Sequence, residues 1–210
     1  MCGTNAFFYV GDFIESHVPN EKINNPRGFD DKIDDVMRKH RVDDTRKDHE
    51  FLKQYAKKNE KEHQKFYTFL KTTDLPSEEI DEIVQTLIDE ISDDTNCADC
   101  GNCCKHLNTT ITEKDVKSIA ECMSTSESEV IEEYLKKNKF GEYVWKSLPC
   151  PFLHVSYCQL GPYKPDACKE YPHLNNPGFV NRLRAVMENL KVCPMVAELF
   201  EELKVQLHFK

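Results

Sequence analysis

Eight cysteines in one ordered series constrain this chain more than any other feature. Cys97, Cys100, Cys103 and Cys104 form C-x-x-C-x-x-C-C with Gly101 inside it. Cys150, Cys158, Cys168 and Cys193 follow, the first and last each preceding a proline. Two-residue spacing lets successive thiolates turn inward on one loop and meet a single centre. Gly101 supplies the left-handed backbone that so tight a loop needs. Eight thiolates fill two four-coordinate sites, or one cluster with thiols to spare. Neighbouring side chains tend to diverge, so one of Cys103 and Cys104 is expected to turn towards the later cysteines. The two groups of four would then interleave around a shared centre.

A chain of 210 residues can bury a core without covalent staples, so small size does not force these cysteines. Adjacent Cys103 and Cys104 suit a disulfide framework poorly. No basic n-region and apolar h-region open the sequence, so no secretory signal is expected. Both readings favour a reducing, cytoplasmic setting in which thiols stay free unless a metal holds them. Cysteine-only sites suit zinc and iron, including iron–sulfur clusters, about equally.

Charge is divided differently from cysteine. Residues 1–96 carry 14 basic and 22 acidic side chains, residues 97–210 carry 14 and 15, and only Cys2 precedes Cys97. Two composition regimes therefore meet near Asn96, and two regions are expected: a charged helical one over 1–96 and a cysteine-cluster metal-binding domain over 97–210. A net charge of −9 argues against nucleic acid, since phosphate binding needs a basic stripe. No apolar run approaches the roughly 20 residues of a membrane span, so no membrane role is expected.

The periodicity predicts a mainly α fold. It comprises a helical N-terminal extension and a compact, metal-stapled domain of short strands or irregular loops, closed by a C-terminal helix. Asp30 and Asp31 suit a helix start, with Ile33, Val36 and Met37 as its apolar stripe. Phe51, Leu52, Tyr55 and Ala56, then Phe66, Tyr67, Phe69 and Leu70, continue the pattern across a polar middle, which suggests two helices. Ile80, Ile83, Val84, Leu87, Ile88 and Ile91 make the most regular amphipathic helix, with Ser77 as its cap. Thr112 and Asp115 resemble a capping box, and Ser126 or Ser128 caps the helix after it. Five prolines between Gly141 and Pro172 exclude a long helix there, leaving short extended pieces near Tyr143–Leu148 and Leu153–Cys158. Val180, Leu183, Met187 and Leu190 restore a helical stripe. Pro194 opens a last helix buried through Met195, Val196, Leu199, Phe200 and Leu203.

The ordered string Cys97-x-x-Cys100-Gly-x-Cys103-Cys104, Leu148-Pro-Cys150-Pro-Phe-Leu153, Cys158, Lys164-Pro165-x-x-Cys168-Lys-x-Tyr171-Pro172 and Cys193-Pro194 resembles the YkgJ-type cysteine-cluster family. The resemblance spans about residues 97–204 and implies a zinc- or iron-chelating domain of a mostly bacterial, cytosolic group. A related pattern occurs in flagellin lysine methylases, which use an iron–sulfur cluster with S-adenosylmethionine. This chain departs from the family by carrying Leu160-Gly161 for Ile-Tyr, and Lys164 and Lys169 for two arginines. Lysine lacks the planar fork that grips a carboxylate, so a substrate role built on those arginines does not carry over.

Three functions follow as expectations. The first is a metal-binding protein whose centre uses the eight cysteines and holds residues 97–204 folded. The second is an iron–sulfur enzyme of electron or methyl transfer, although the sequence offers no glycine-rich cofactor loop and no identifiable catalytic residue. The third is a metal-stabilised interaction module whose acidic N-terminal helices bind a protein partner. Cys2 and Cys122 are expected to stand apart, Cys122 as a buried structural cysteine. His106, His154 and His173 lie near the cysteines but are expected outside the ligand set, and His40, His49 and His63 on solvated surface. Tyr143, Trp145, Phe152 and Tyr157 are expected to pack around the centre.

Overall fold

Helix starts in this chain are set by residues that interrupt periodicity, and the computed structural model shows where. It describes residues 48–94 and 100–209. The expectations for Cys2, Ile33, Val36, Met37, His40 and Cys97 lie outside those residues. Asp48 caps α1 (His49–Lys58) by accepting the Glu50 amide at 2.7 Å. Asn59 separates it from α2 (Glu60–Thr72). The polar stretch in which the expected pair of helices would divide lies mostly outside the described residues. The Pro76 carbonyl accepts from Glu79 and Ile80 at the start of α3 (Ser77–Asp94), placing Ser77 inside the first turn instead of at the cap.

These helices bury their apolar stripes against α8 (Phe179–Glu188) and α9 (Pro194–Gln206), which a short 3-10 turn joins. Ile80, Val84, Leu87, Ile88 and Ile91 from α3 meet Leu183, Val196, Leu199 and Leu203 in one core. Phe66, Phe179 and Phe200 are fully buried there, each contributing about 1.5–3 kcal/mol. This core runs across the compositional boundary at residue 96. Asp81 on α3 reaches over to α8, accepting the Gly178 and Phe179 amides at 2.6 and 2.8 Å. A carboxylate from another helix thereby caps a helix whose own N-cap is a left-handed glycine.

His63 overturns one expectation: it is 2% exposed, not solvated. Its ring lies 5.9 Å from Phe200, edge-on, and Nε2 stands 3.2 Å from the Tyr55 hydroxyl. Tyr55 donates in turn to Glu201, and buried Lys204 bridges Glu62 at 2.6 Å and Glu201 at 2.7 Å. Burial requires each polar group in this network to find a partner.

The second core forms under α5 (Glu113–Met123) and α6 (Glu127–Tyr134), which follow α4 (Asn102–His106) and β1 (Thr110–Ile111). Thr112 with Asp115, and Ser126 with Glu129, make complete capping boxes. β2 (Leu135–Lys137) and β3 (Tyr143–Trp145) join β1 in an antiparallel sheet of order β1-β3-β2. β4 (Leu153–His154) and β5 (Tyr157–Cys158) form a hairpin, followed by a 3-10 turn and α7 (Asp166–Glu170). Val116, Ile119, Val130, Trp145, Phe152 and Leu160 fill this core, with Cys150 and Cys158 packed against it. The fold is mainly α with short strands and a C-terminal helix, as expected. No helix among the described residues is long and apolar enough to cross a membrane.

Candidate metal centre

Gly101 opens α4 with φ +65, the left-handed conformation expected of it. A Cβ there would stand 3.1 Å from the Ser156 carbonyl oxygen, because the cysteine loop lies directly against the β4–β5 turn. Two further bonds tie the loops together: the Cys150 amide donates to the Cys104 carbonyl at 2.8 Å, and the Leu153 amide to the Cys150 carbonyl at 3.0 Å. Leu153 pairs with Cys158 across the hairpin. Three cysteine-bearing segments are thus joined through backbone, independently of their sulfurs.

Cys103 and Cys104 do not diverge as expected. Their sulfurs are 3.9 Å apart, close to the edge of about 3.8 Å that a tetrahedron with ~2.3 Å metal–sulfur bonds requires. One turn of short helix brings the neighbours together where an extended loop would have splayed them.

Electrostatics single out Cys104. The Cys103 thiol bonds to it and holds its pKa down to about 7; burial opposes this, and the charges of Lys164 and Lys105 assist. After burial, the negative charge of Cys104 adds to the raised pKa of Cys150, Cys158 and Cys168, so its field is felt at all three. Burial pushes Cys150 up to about 12 and raises Cys158 and Cys168. Against burial, backbone amides are aimed at two of these sulfurs: Phe152 at Cys150, and Leu160 with Gly161 at Cys158. The Thr109 hydroxyl lies 3.6 Å from the Cys168 sulfur. Donors directed at buried sulfurs favour thiolates, and a bound cation would reverse the penalty of burial. The donor set therefore fits a thiophilic metal.

The remaining candidates are placed as follows. Cys100 is half-buried, its carbonyl bonded by Lys105 at 3.2 Å. Cys193 is buried in the first core, at the N-cap of α9. Cys122 is buried in the second core and disulfide-bonded, which the expectation of uniformly reduced thiols did not include. Among the described residues no three His, Cys, Asp or Glu side chains already enclose an ion-sized position. The sulfurs of Cys103 and Cys104 are adjacent, but the described side chains are not closed on a point.

His154 is exposed beside Tyr157 and His173 is half-exposed near Glu170. His106 stacks on His49 with centroids 3.4 Å apart, so His49 is not merely solvated. Trp145, Phe152 and Tyr143 pack with Cys150 and Cys158, whereas Tyr157 is 50% exposed. Two residues that serve the site, Thr109 and Asp115, were not singled out for it from sequence. Their partners lie 59 and 51 positions away, beyond any local pattern.

No curated protein and no solved structure matches the chain. Residues 96–194 match the CxxCxxCC family model, described as a "putative zinc- or iron-chelating domain", so this cysteine-bearing segment is similar to that family.

Proposed function

We propose that the chain binds zinc or iron through its ordered cysteines, Cys97, Cys100, Cys103, Cys104, Cys150, Cys158, Cys168 and Cys193. One observation carries the reading: the charge of Cys104 is felt at Cys150, Cys158 and Cys168, three thiols from separate segments, and a backbone bond already holds the Cys150 loop against Cys104. Cys103, 3.9 Å away, extends the donor set from the same turn.

The metal's first role on this reading is structural. Thiolates from α4, the Cys150 loop, β5 and α7 are spread over more than 60 residues, and one centre would convert binding energy into folding energy. Trp145 and Phe152 would keep water from the sulfurs and protect them from exchange. Zinc and iron–sulfur centres both suit an all-thiolate donor set.

Anaerobic purification followed by elemental analysis and an optical spectrum tests the proposal. Stoichiometric zinc, or iron with sulfide and visible charge-transfer absorption, is the expected result. A chain that carries no metal and takes up neither ion after anaerobic reconstitution would end it.

A further inference from the structure

We infer that Asp115 is a positioning residue for Cys168, a single carboxylate that fixes two helix starts and through the second sets where the Cys168 sulfur stands. The inference rests on reading Cys168 as a metal ligand. Asp115 is 3% exposed. Its Oδ2 accepts the Thr112 amide at 2.8 Å and the Thr112 hydroxyl at 2.6 Å, while its own amide donates to Thr112 Oγ1 at 3.2 Å. That reciprocal set caps α5.

Oδ1 takes no part in that cap. It accepts the amide of Asp166 at 3.0 Å, from a residue 51 positions later. Asp166 is the first residue of α7, and the cap position before it is Pro165, which has no side-chain acceptor. Asp115 supplies what α7's own loop lacks. Two residues on, the Cys168 amide is bonded to the Pro165 carbonyl at 2.9 Å, and the sulfur meets Thr109 at 3.6 Å. The path from carboxylate to sulfur is therefore one turn of helix. Lys114 and Lys169 hold the Asp166 carboxylate at 2.6 and 3.0 Å, but that group is exposed and adds little. A buried carboxylate is costly unless its oxygens are bonded, and here both are.

Groups that orient a ligand from outside the coordination shell typically change metal affinity by about 10- to 100-fold when removed. Two variants separate the caps. Thr112→Ala weakens the α5 cap and leaves Oδ1 on Asp166. Asp166→Pro deletes the amide that Oδ1 accepts and leaves the α5 cap intact; proline is tolerated at a first helical position.

Zinc affinity of the full chain would be measured by competition with a chromophoric chelator, together with the thiolate-to-cobalt bands of the cobalt-substituted protein and stability in urea. Asp166→Pro and Asp115→Ala are expected to lose about 10- to 100-fold in zinc affinity and to weaken the cobalt bands. Thr112→Ala should lose stability while keeping affinity and bands. Asp115→Asn, whose amide oxygen can still accept from Asp166, should recover most of the affinity. Equal affinity in Asp166→Pro and the unsubstituted chain, or equal losses in Asp166→Pro and Thr112→Ala, overturns the positioning role while leaving metal binding intact. Failure of the unsubstituted chain to bind zinc or cobalt overturns the metal-binding reading, and this inference with it.

Discussion

The amide of Cys150 donates to the carbonyl of Cys104 over 2.8 Å. Two candidate ligands distant in sequence are thus held by backbone before any metal is considered. Their thiols nonetheless behave oppositely, because Cys104 gains a hydrogen bond from Cys103 while Cys150 is chiefly buried.

That contrast sets an order of reactivity in the metal-free protein. Cys104, with a pKa of about 7, is largely thiolate at pH 8, whereas Cys150, at about 12, is protonated. Since the thiolate is the nucleophile, iodoacetamide should modify Cys104 well before Cys150, with a rate rising as pH passes through 7. Peptide mapping by mass spectrometry over a time course checks this. Zinc added first should protect both. Modification of Cys150 ahead of Cys104 would contradict the electrostatic account.

Gly101→Ala tests the contact between the cysteine loop and the hairpin. A side chain at φ +65 costs about 1–2 kcal/mol, and the new Cβ would also press on the Ser156 backbone at 3.1 Å. Gly141→Ala is the matched comparison: its φ is +83, but a Cβ there meets nothing within 4 Å. Urea denaturation should show both variants destabilised and Gly101→Ala more so, the difference reporting the contact alone.

Much of this architecture was legible where the signal is local. The stripe from Ile80 to Ile91 and the last helix from Pro194 repeat at helical period, and both are buried as expected. Thr112 with Asp115 shows its capping box within four residues, and Gly101 announces its left-handed turn. What stayed hidden depends on partners far along the chain. His63 sits among charged neighbours, yet Tyr55 and Phe200 from other helices enclose it. Asp81 reads as one more acidic residue of α3 until Gly178 and Phe179 arrive 97 and 98 positions later. Cys103 and Cys104 were expected to diverge because the helical turn that joins them spans only five residues, too few to show a period.

Stability at low pH should depend on Glu201. Burial alone would raise its pKa, but bonds from His63, Lys204 and Tyr55 outweigh this and hold it at about 2, against an ordinary 4.5. The folded state therefore binds the proton less readily than the unfolded one. The stabilisation is fully present above pH 4.5 and is lost as pH falls towards 2. Glu201→Gln should flatten that part of the stability curve. Urea titrations between pH 2 and 5 would show it, and an unchanged slope in the variant would remove Glu201 from the explanation.

Metal removal should act unequally on the two cores. The first is closed by apolar contacts among α1, α2, α3, α8 and α9, with Phe66, Phe179 and Phe200 fully buried and Asp81 capping α8. None of those contacts runs through Cys104, Cys150, Cys158 or Cys168; among the described residues Cys193, at the N-cap of α9, is the one proposed ligand in this core. The second core has shorter helices, and strands of two or three residues whose ladders alone are marginal. Hydrogen exchange on the full chain, with and without chelator, should therefore show amides of α4, β4, β5 and α7 losing protection while those of α2 and α3 keep theirs. Asp81→Ala should do the reverse, costing about 1 kcal/mol in the first core and leaving metal content unchanged. Uniform loss of protection on chelation would mean instead that the chain folds as one cooperative unit around its metal.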